Sequence, residues 1–315
     1  MRAGKIVKGL LLLLPGLYAA IYLLNLPFRA APPAADFEWI SHRGVHQTFR
    51  TDDLDNETCT ATRIFPPTHG LLENTLPSMA AAFDRGAHMI ELDIHRTLDG
   101  ELAVFHDWTV DCRTEGQGET REHTLAQLQA LDVGYGYTAD GGATFPFRGQ
   151  GVGLLPSLRQ VLRAFPEGRF MINQKDRSVD TTRLLAQILA QERASERVCL
   201  NAIPELNRVY AELVEQACVM PGRVGIRRCL VDYLKTGWTG RLPSSCAGQR
   251  LVLPDWKVMR LVWGWPGTFI ERVHASGGTV HIWSNDPQRV PALRALGIDG
   301  ILTDRIELMP TGGVP

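Results

Sequence analysis

The chain has 315 residues, of which 44% are apolar, and a formal net charge of −1. This length accommodates one large domain or two medium ones, with ample apolar material for a core. Lysine and arginine (33) nearly balance aspartate and glutamate (34), so no basic excess favours a nucleic-acid backbone, and we expect no nucleic-acid partner.

The N-terminal segment differs from the rest of the chain. Basic side chains precede an uncharged, almost entirely apolar run over residues 9–26. The length of the run and the charge before it predict a transmembrane or signal-anchor helix within residues 1–35, with the folded body outside the cytoplasm, on its periplasmic or extracellular face. Cleavage among the alanines of residues 30–35 is the alternative and would release an exported soluble form. Residues 36–315 are expected to form one domain.

Cysteine content supports export. Six cysteines, at positions 59, 112, 199, 218, 229 and 246, suit a secreted protein with disulfides, and no CxxC pair suggests a zinc or redox motif. Six cysteines allow fifteen pairings. We favour Cys59 with Cys112, because both follow segments that should end near one site; scattered buried thiols are the alternative.

The first third of the chain alternates strand and helix patterns. In order, we predict a strand at 37–40, a loop at 47–62, a helix at 76–85, and strands at 88–94 and 101–105.

The same alternation continues to the end of the chain. A short helix begins at Thr124, a loop covers 134–153, and a helix, a strand and a second helix follow at 158–165, 169–173 and 181–194. Less distinct elements lie at 197–200, 206–217, 222–226, 251–254 and 266–276, before strands at 279–283 and 300–302 that flank a helix at 290–296.

This order predicts a parallel α/β fold, either a barrel or a doubly wound sheet. Polar groups directly follow several predicted strands, as at His42, His106, Lys175 and Asn285. We favour a TIM (β/α)8 barrel, because its catalytic groups collect at the carboxyl ends of the strands.

Glu91 and Asp93 lie two residues apart on a predicted strand, so both point to the same face. Inside a barrel, two neighbouring carboxylates require a cation, and oxygen ligands suit Mg²⁺ or Ca²⁺. The alternative is a strand edge with solvated acids. Glu73 is a further candidate ligand, and Asn74 should fix a loop or cap the helix that follows.

Two histidines follow predicted strands and stand next to charged residues. Imidazole titrates near neutral pH, so His42 and His106 could serve as general base and general acid. Arg43 and Lys175 suit phosphate binding, although either could form an ordinary salt bridge.

Several motifs, in this order, resemble the glycerophosphodiester phosphodiesterase family. They are H-R-G at 42–44, E-N-T at 73–75, G-A-H-M-I-E-L-D-I-H-R-T-L-D-G at 86–100, F-H-D at 105–107, and the segments L-P-S-L, V-H-I-W-S-N and G-I-D-G-I-L-T-D further on. The resemblance covers about residues 39–306. It implies a TIM barrel that uses a divalent cation, Mg²⁺ or Ca²⁺, to hydrolyse phosphodiesters of glycerol to glycerol 3-phosphate and an alcohol.

The resemblance also implies roles for individual residues. His42 and His106 would be the acid/base pair, and Glu91 and Asp93 the metal ligands. The remaining roles are phosphate contacts for Arg43 and Lys175, an apolar wall for glycerol at Trp283, and a place near metal and substrate for Glu73.

The chain departs from the family pattern at two places. Asn173 stands where the family usually carries an acidic metal ligand; an amide oxygen still ligates Mg²⁺ or Ca²⁺, but adds no charge. The segment between His42 and Glu73 is longer than usual, and it should lie at the mouth of the site.

We therefore expect an anchored hydrolase of glycerophosphodiesters. One alternative is a lysophospholipase D-like enzyme acting on lysolipids at the membrane surface. The other is a catalytically weak phosphodiester-binding protein, for which Asn173 is the main argument.

Overall fold

The structure is a computed structural model that describes residues 15–26, 36–54, 58–255 and 262–311. The strands of these residues are β1 (Glu38–His42), β2 (Met89–Arg96), β3 (Leu102–Val104), β4 (Phe170–Gln174), β5 (Val198–Asn201), β6 (Cys218–Met220), β7 (Arg250–Pro254), β8 (Thr279–Trp283) and β9 (Gly300–Thr303). The helices are α1 (Leu76–Asp84), α2 (Leu125–Ala130), α3 (Leu158–Ala164), α4 (Val179–Gln191), α5 (Pro204–Leu213), α6 (Gly222–Thr236), α7 (Gly267–Ala275) and α8 (Val290–Arg294), and residues 15–24 are helical as well.

The chain forms two compact units. The larger comprises residues 38–222, 284–287 and 301–315, and the smaller comprises residues 1–37, 223–283 and 288–300.

The larger unit is built on a sheet with the strand order β6-β5-β4-β2-β1-β9. The pairs β1–β2, β2–β4, β4–β5 and β5–β6 are parallel. β3 pairs antiparallel with β2. Ile40, Ile90, Leu92, Ile172 and Leu200 are fully buried, as is usual for parallel strands covered on both faces. The polar ends of these strands carry the residues of the site described below.

Side-chain caps fix where the short helices of the larger unit begin. The hydroxyl of Thr75 accepts a hydrogen bond from the amide of Ser78 at the start of α1, and Pro77 occupies the first turn. Thr124 and Ser157 each form a reciprocal capping box with a glutamine three residues later. The predicted helices at 76–85, 124 onwards and 158–165 are therefore confirmed to within a residue or two.

A second apolar cluster lies beside the sheet and includes Ile64, Phe105, Val110, Tyr137 and Phe147. It joins the long loop after β1 to the irregular segment between β3 and α3. The disulfide Cys59–Cys112 packs against this cluster, and its presence confirms the predicted pairing. The other disulfides are Cys199–Cys218 and Cys229–Cys246, and no cysteine is free.

In the smaller unit, β7 and β8 pair in parallel and are accompanied by α6, α7 and α8. Residues 222–226, whose type the sequence left open, are the first turns of α6, and the preceding strand β6 was not predicted. β6 is only three residues long and half-exposed, so it carries no recognisable apolar period.

The predicted membrane segment is described only in part. Residues 15–24 are helical and mostly exposed, whereas residues 1–14 and 27–35 lie outside the described residues. Among the helices that the structure describes, none combines the length and the apolar character needed to cross a bilayer.

Candidate active site

Strand register brings the predicted site residues together in the larger unit. His42, the last residue of β1, is paired with Glu91 on β2, and Asp93 is paired with Asn173 on β4. Because parallel strands end at the same edge of a sheet, these side chains share one edge. Lys175 follows β4 directly, and its Nζ lies 3.7 Å from Asp93 Oδ1.

Two tight turns shape the H-R-G and E-N-T motifs. Arg43 and Asn74 both adopt a left-handed backbone with φ of 58°, and the amide of Asn74 donates to the carbonyl of Arg43 at 3.0 Å. Gly44 has φ of 78°, and a Cβ there would lie 2.8 Å from the carbonyl carbon of Ser78. Only glycine lets this turn pack so closely against α1. The left-handed backbone of Arg43 and Asn74 is of the strained kind that is typical of functional sites.

Asp93 is fully buried and heavily compensated. Its Oδ1 accepts from Asn173 at 2.9 Å, and its Oδ2 accepts from Asn74 at 3.2 Å and lies 3.2 Å from Arg43 Nε. Burial alone would raise the pKa of Asp93, but Arg43, together with His106, Lys175 and His42, holds it well below its usual range. The surrounding positive groups therefore favour the ionised form of this carboxylate.

Glu91 is the uncompensated member of the acidic pair. Its Oε2 is buried without a hydrogen-bond partner and lies 3.6 Å from His42 Nε2. Burial, with a second contribution from the negative charge of Asp93, raises the pKa of Glu91 well above its usual range. A buried carboxylate in this condition is suited to accept a cation.

Each predicted catalytic histidine is held by a carboxylate at Nδ1. His42 Nδ1 lies 2.5 Å from Asp304 Oδ1, and His106 Nδ1 lies 2.6 Å from Asp107 Oδ1. A carboxylate at Nδ1 fixes the proton there and leaves Nε2 of the neutral ring as the proton acceptor. Burial and the charge of Arg43 lower the pKa of both histidines, which favours the neutral ring in each.

Arg113, which was not predicted, connects Asp107 with Glu73. This buried guanidinium donates to Asp107 Oδ2 at 2.8 Å and to Thr60 Oγ1 at 2.8 Å, contacts Tyr137, and lies 3.2 Å from Glu73 Oε2. No short motif or period marked it, because its partners are distant in sequence.

Asp304 was also missed as a functional residue, although it ends the recognised segment G-I-D-G-I-L-T-D. It follows β9, and its Oδ2 accepts from Asn285 at 2.7 Å. Asn285 in turn accepts from the Asp304 amide at 2.8 Å, so the two residues fix each other. Its position directly after a strand was the signal that could have identified Asp304.

Three predicted residues have surroundings that the sequence did not indicate. Glu73 pairs with Arg43 through Oε1 at 3.0 Å and with Arg113 through Oε2, and these arginines, acting against burial, lower its pKa to about 2. Asn173 directs its Nδ2 at Asp93. Trp283 ends β8 in the smaller unit and is half-buried, and its predicted contact with glycerol stays a prediction.

The larger unit also contains a group of side chains with metal-ligand geometry that was not predicted. One ligand atom each from His42, His46 and Asp304 lies within 4.8 Å of the others.

Comparison with known proteins supports the resemblance seen in the sequence. The model of the glycerophosphoryl diester phosphodiesterase family matches residues 42–198, a range that includes both histidines and the acidic pair. Residues 42–198 of the chain belong to this family.

Two bacterial relatives show how far the similarity extends. A glycerophosphodiester phosphodiesterase of Caldanaerobacter subterraneus is 35% identical over 101 residues, which cover 32% of this chain and only 38% of that protein. Bacillus subtilis YhdW is 25% identical over 241 residues, 74% of this chain and 88% of YhdW.

Solved structures of the family share the fold. The glycerophosphoryl diester phosphodiesterase domain of a Mycobacterium tuberculosis protein has a TM-score of 0.64 at 19% identity and covers 85% of this chain and 96% of that domain. An Oleispira antarctica phosphodiesterase, solved with sn-glycerol-3-phosphate, has a TM-score of 0.55 at 18% identity, covering 85% and 92%. These similarities confirm the predicted TIM-barrel fold class.

Proposed function

We propose that the protein hydrolyses glycerophosphodiesters to glycerol 3-phosphate and an alcohol. The observation that carries this proposal is the pair of histidines, each held at Nδ1 by a carboxylate, around a buried acidic pair with Arg43 and Lys175. A phosphodiester-binding protein would need the cationic groups but not two oriented proton-transfer groups. The phosphodiesterase names of the relatives support the same substrate class.

The residues present fit a divalent cation. Glu91 supplies a buried carboxylate oxygen without a hydrogen-bond partner. Asp93 lies two residues further along the same strand and is paired with Asn173, whose side chain carries an amide oxygen. These three oxygen donors suit Mg²⁺ or Ca²⁺. Both oxygens of Glu73 pair with arginines, and its predicted place near the cation stays a prediction. When bound, the cation would supply charge stabilisation to the phosphate.

The other side chains of the site would bind the phosphate and transfer protons. Arg43 would bind phosphate oxygens through its planar donor fork, and Lys175 through its ammonium, which lies beyond hydrogen-bond distance of Asp93. One neutral histidine accepts the proton of the attacking group at Nε2. The other, protonated in the presence of the phosphate, donates a proton to the leaving oxygen.

A product assay tests the proposal. We expect purified protein to release glycerol 3-phosphate from glycerophosphocholine or glycerophosphoethanolamine, to stop on addition of EDTA, and to recover with Mg²⁺ or Ca²⁺. His42→Ala and His106→Ala should each reduce turnover by at least about 100-fold. His274→Ala, which removes an imidazole paired with Asp299 in the smaller unit, is the matched control. Unchanged turnover in either catalytic variant would contradict the assignment.

A lysolipid substrate belongs in the same assay. Faster release of alcohol from a lysolipid than from glycerophosphocholine would favour the lysophospholipase D-like alternative. Binding of glycerophosphocholine without product would favour the binding protein.

We also propose that the folded body lies outside the cytoplasm, held at the membrane by residues 1–35. Pairing of all six cysteines supports an oxidising compartment. Protease added to intact spheroplasts should digest the body; protection from digestion would contradict the proposal.

A further inference from the structure

A group of metal-ligating atoms lies on the Nδ1 side of His42, away from the oxygen donors of the acidic pair. His42 Nδ1 and His46 Nε2 both approach Asp304 Oδ1, at 2.5 and 3.6 Å. The ligand atoms of the three residues lie within 4.8 Å of one another. The side chains are 12%, 2% and 19% exposed, so the group is buried yet reachable through His42 and Asp304.

His46 provides an independent indication that a cation fits there. Its Nδ1 lies 3.0 Å from the carbonyl oxygen of Gln47, which can only accept, so Nδ1 carries the proton. Its Nε2 is buried, has no hydrogen-bond partner, and lies 3.6 Å from Asp304 Oδ1. A lone pair on Nε2 would face the carboxylate oxygen unfavourably, so this position favours a positive species, either a proton on Nε2 or a metal ion.

The donor set indicates which cation. Two imidazole nitrogens and one carboxylate oxygen match Zn²⁺ and similar borderline cations, whereas Mg²⁺ and Ca²⁺ prefer sites made of oxygen alone. Donors of a tetrahedral zinc ion at 2.0–2.1 Å lie roughly 3.3 Å apart. The distances of 2.5 and 3.6 Å from Asp304 Oδ1 to the two imidazole nitrogens lie on either side of that spacing.

We propose that His42, His46 and Asp304 form an inhibitory site for Zn²⁺ or a chemically similar cation. Zinc on His42 Nδ1 replaces the hydrogen bond to Asp304 and moves the ring proton to Nε2. Either catalytic role requires the ring of His42 to gain and lose a proton at Nε2, and a ring bound to zinc at Nδ1 no longer does so, so turnover stops. The inhibition rests on the proposed function, whereas the binding does not.

Calorimetry tests the binding directly. The full chain is titrated with ZnCl₂ in the presence of excess Mg²⁺, which occupies the oxygen donors of the acidic pair. We expect His46→Gln to weaken one zinc-binding event at least tenfold, and the control His274→Gln and the acidic-pair variant Glu91→Gln to retain it. Equal zinc affinity in the wild type and His46→Gln would overturn the site.

Turnover tests the inhibitory role. Release of glycerol 3-phosphate is measured with increasing Zn²⁺ and expressed relative to each variant's own zinc-free rate, so that changes in basal activity cancel. We expect the inhibiting zinc concentration to rise at least tenfold in His46→Gln and to stay unchanged in His274→Gln. Zinc that binds to the site without slowing the wild type would overturn the inhibitory role. A wild type that releases no glycerol 3-phosphate at any zinc concentration would overturn the proposed function, and calorimetry would still decide the site.

Discussion

At the residue scale, the two acids of β2 differ because their neighbours differ. Asp93 is surrounded by donors and positive charge, and its pKa is lowered; Glu91 is buried with an oxygen that nothing donates to, and its pKa is raised. Two carboxylates on one face were evident from the sequence spacing. Which of the two carboxylates lacks hydrogen-bond donors, and so has the raised pKa, depends on side chains from three other segments.

Asn173 is expected to limit cation affinity. Asn173→Asp adds a negative charge opposite Asp93 and replaces a donor with a ligand oxygen. We expect the dissociation constant for Mg²⁺ or Ca²⁺ to fall about tenfold, because ligand charge sets the affinity of such sites. Calorimetry in the absence of substrate measures it. Weaker binding would show that Asn173 does not face the cation.

Asp107 is expected to set the proton affinity of His106. Its carboxylate stabilises the protonated ring, so Asp107→Asn should lower the pKa of His106, which burial and Arg43 already depress. The limb of the pH–rate profile that reports His106 should move to lower pH by about 1 unit. An alkaline limb that moves identifies His106 as the acid. A profile with both limbs unchanged would contradict this coupling.

At the scale of elements, the disulfide Cys59–Cys112 holds the loop after β1 against the segment after β3. The residues that follow the two cysteines, Thr60 and Arg113, are hydrogen-bonded to each other. Arg113 then orients Asp107 and Glu73, which hold His106 and Arg43. A chain of hydrogen bonds and ion pairs therefore leads from the disulfide, through Arg113, to both His106 and Arg43.

Removing this disulfide should impair catalysis as well as stability. We expect Cys59→Ser/Cys112→Ser to reduce kcat severalfold at a temperature where the protein remains folded. Cys229→Ser/Cys246→Ser, which removes a disulfide of the smaller unit, is the matched control and should retain kcat. Equal effects of the two double variants on kcat would contradict a positioning role.

Several elements followed directly from local sequence. Helices α1, α2 and α3 begin directly after Thr75, Thr124 and Ser157, whose hydroxyls cap the first turn. Each capping residue and its partner lie within four residues of each other, so the sequence shows them directly. The strand β6 and the start of α6 were not assigned, because a three-residue strand gives no period and its pairing with β5 is a long-range interaction.

At the scale of the whole molecule, the disulfides should differ in their contribution to stability. Cys59–Cys112 spans 53 residues and Cys229–Cys246 spans 17. Loop-closure entropy predicts a loss of about 4 kcal/mol in unfolding free energy for the first and about 3 kcal/mol for the second. Denaturant unfolding of the two double variants measures both. A larger loss for the shorter loop would mean that native-state contacts outweigh chain entropy.

The sequence by itself determined the family, the parallel α/β class, the acidic pair, the two histidines and one disulfide. These features depend on residue order and on spacing along single strands, which any chain displays before it folds. Tertiary structure decided that Asp304 and Asp107 orient the histidines, that Arg113 joins Glu73 to Asp107, and that His46 approaches Asp304. Most of these contacts join residues far apart in the chain, and even the neighbours His106 and Asp107 need the fold to orient them, so only the folded backbone brings each set of side chains within hydrogen-bond or ion-pair distance.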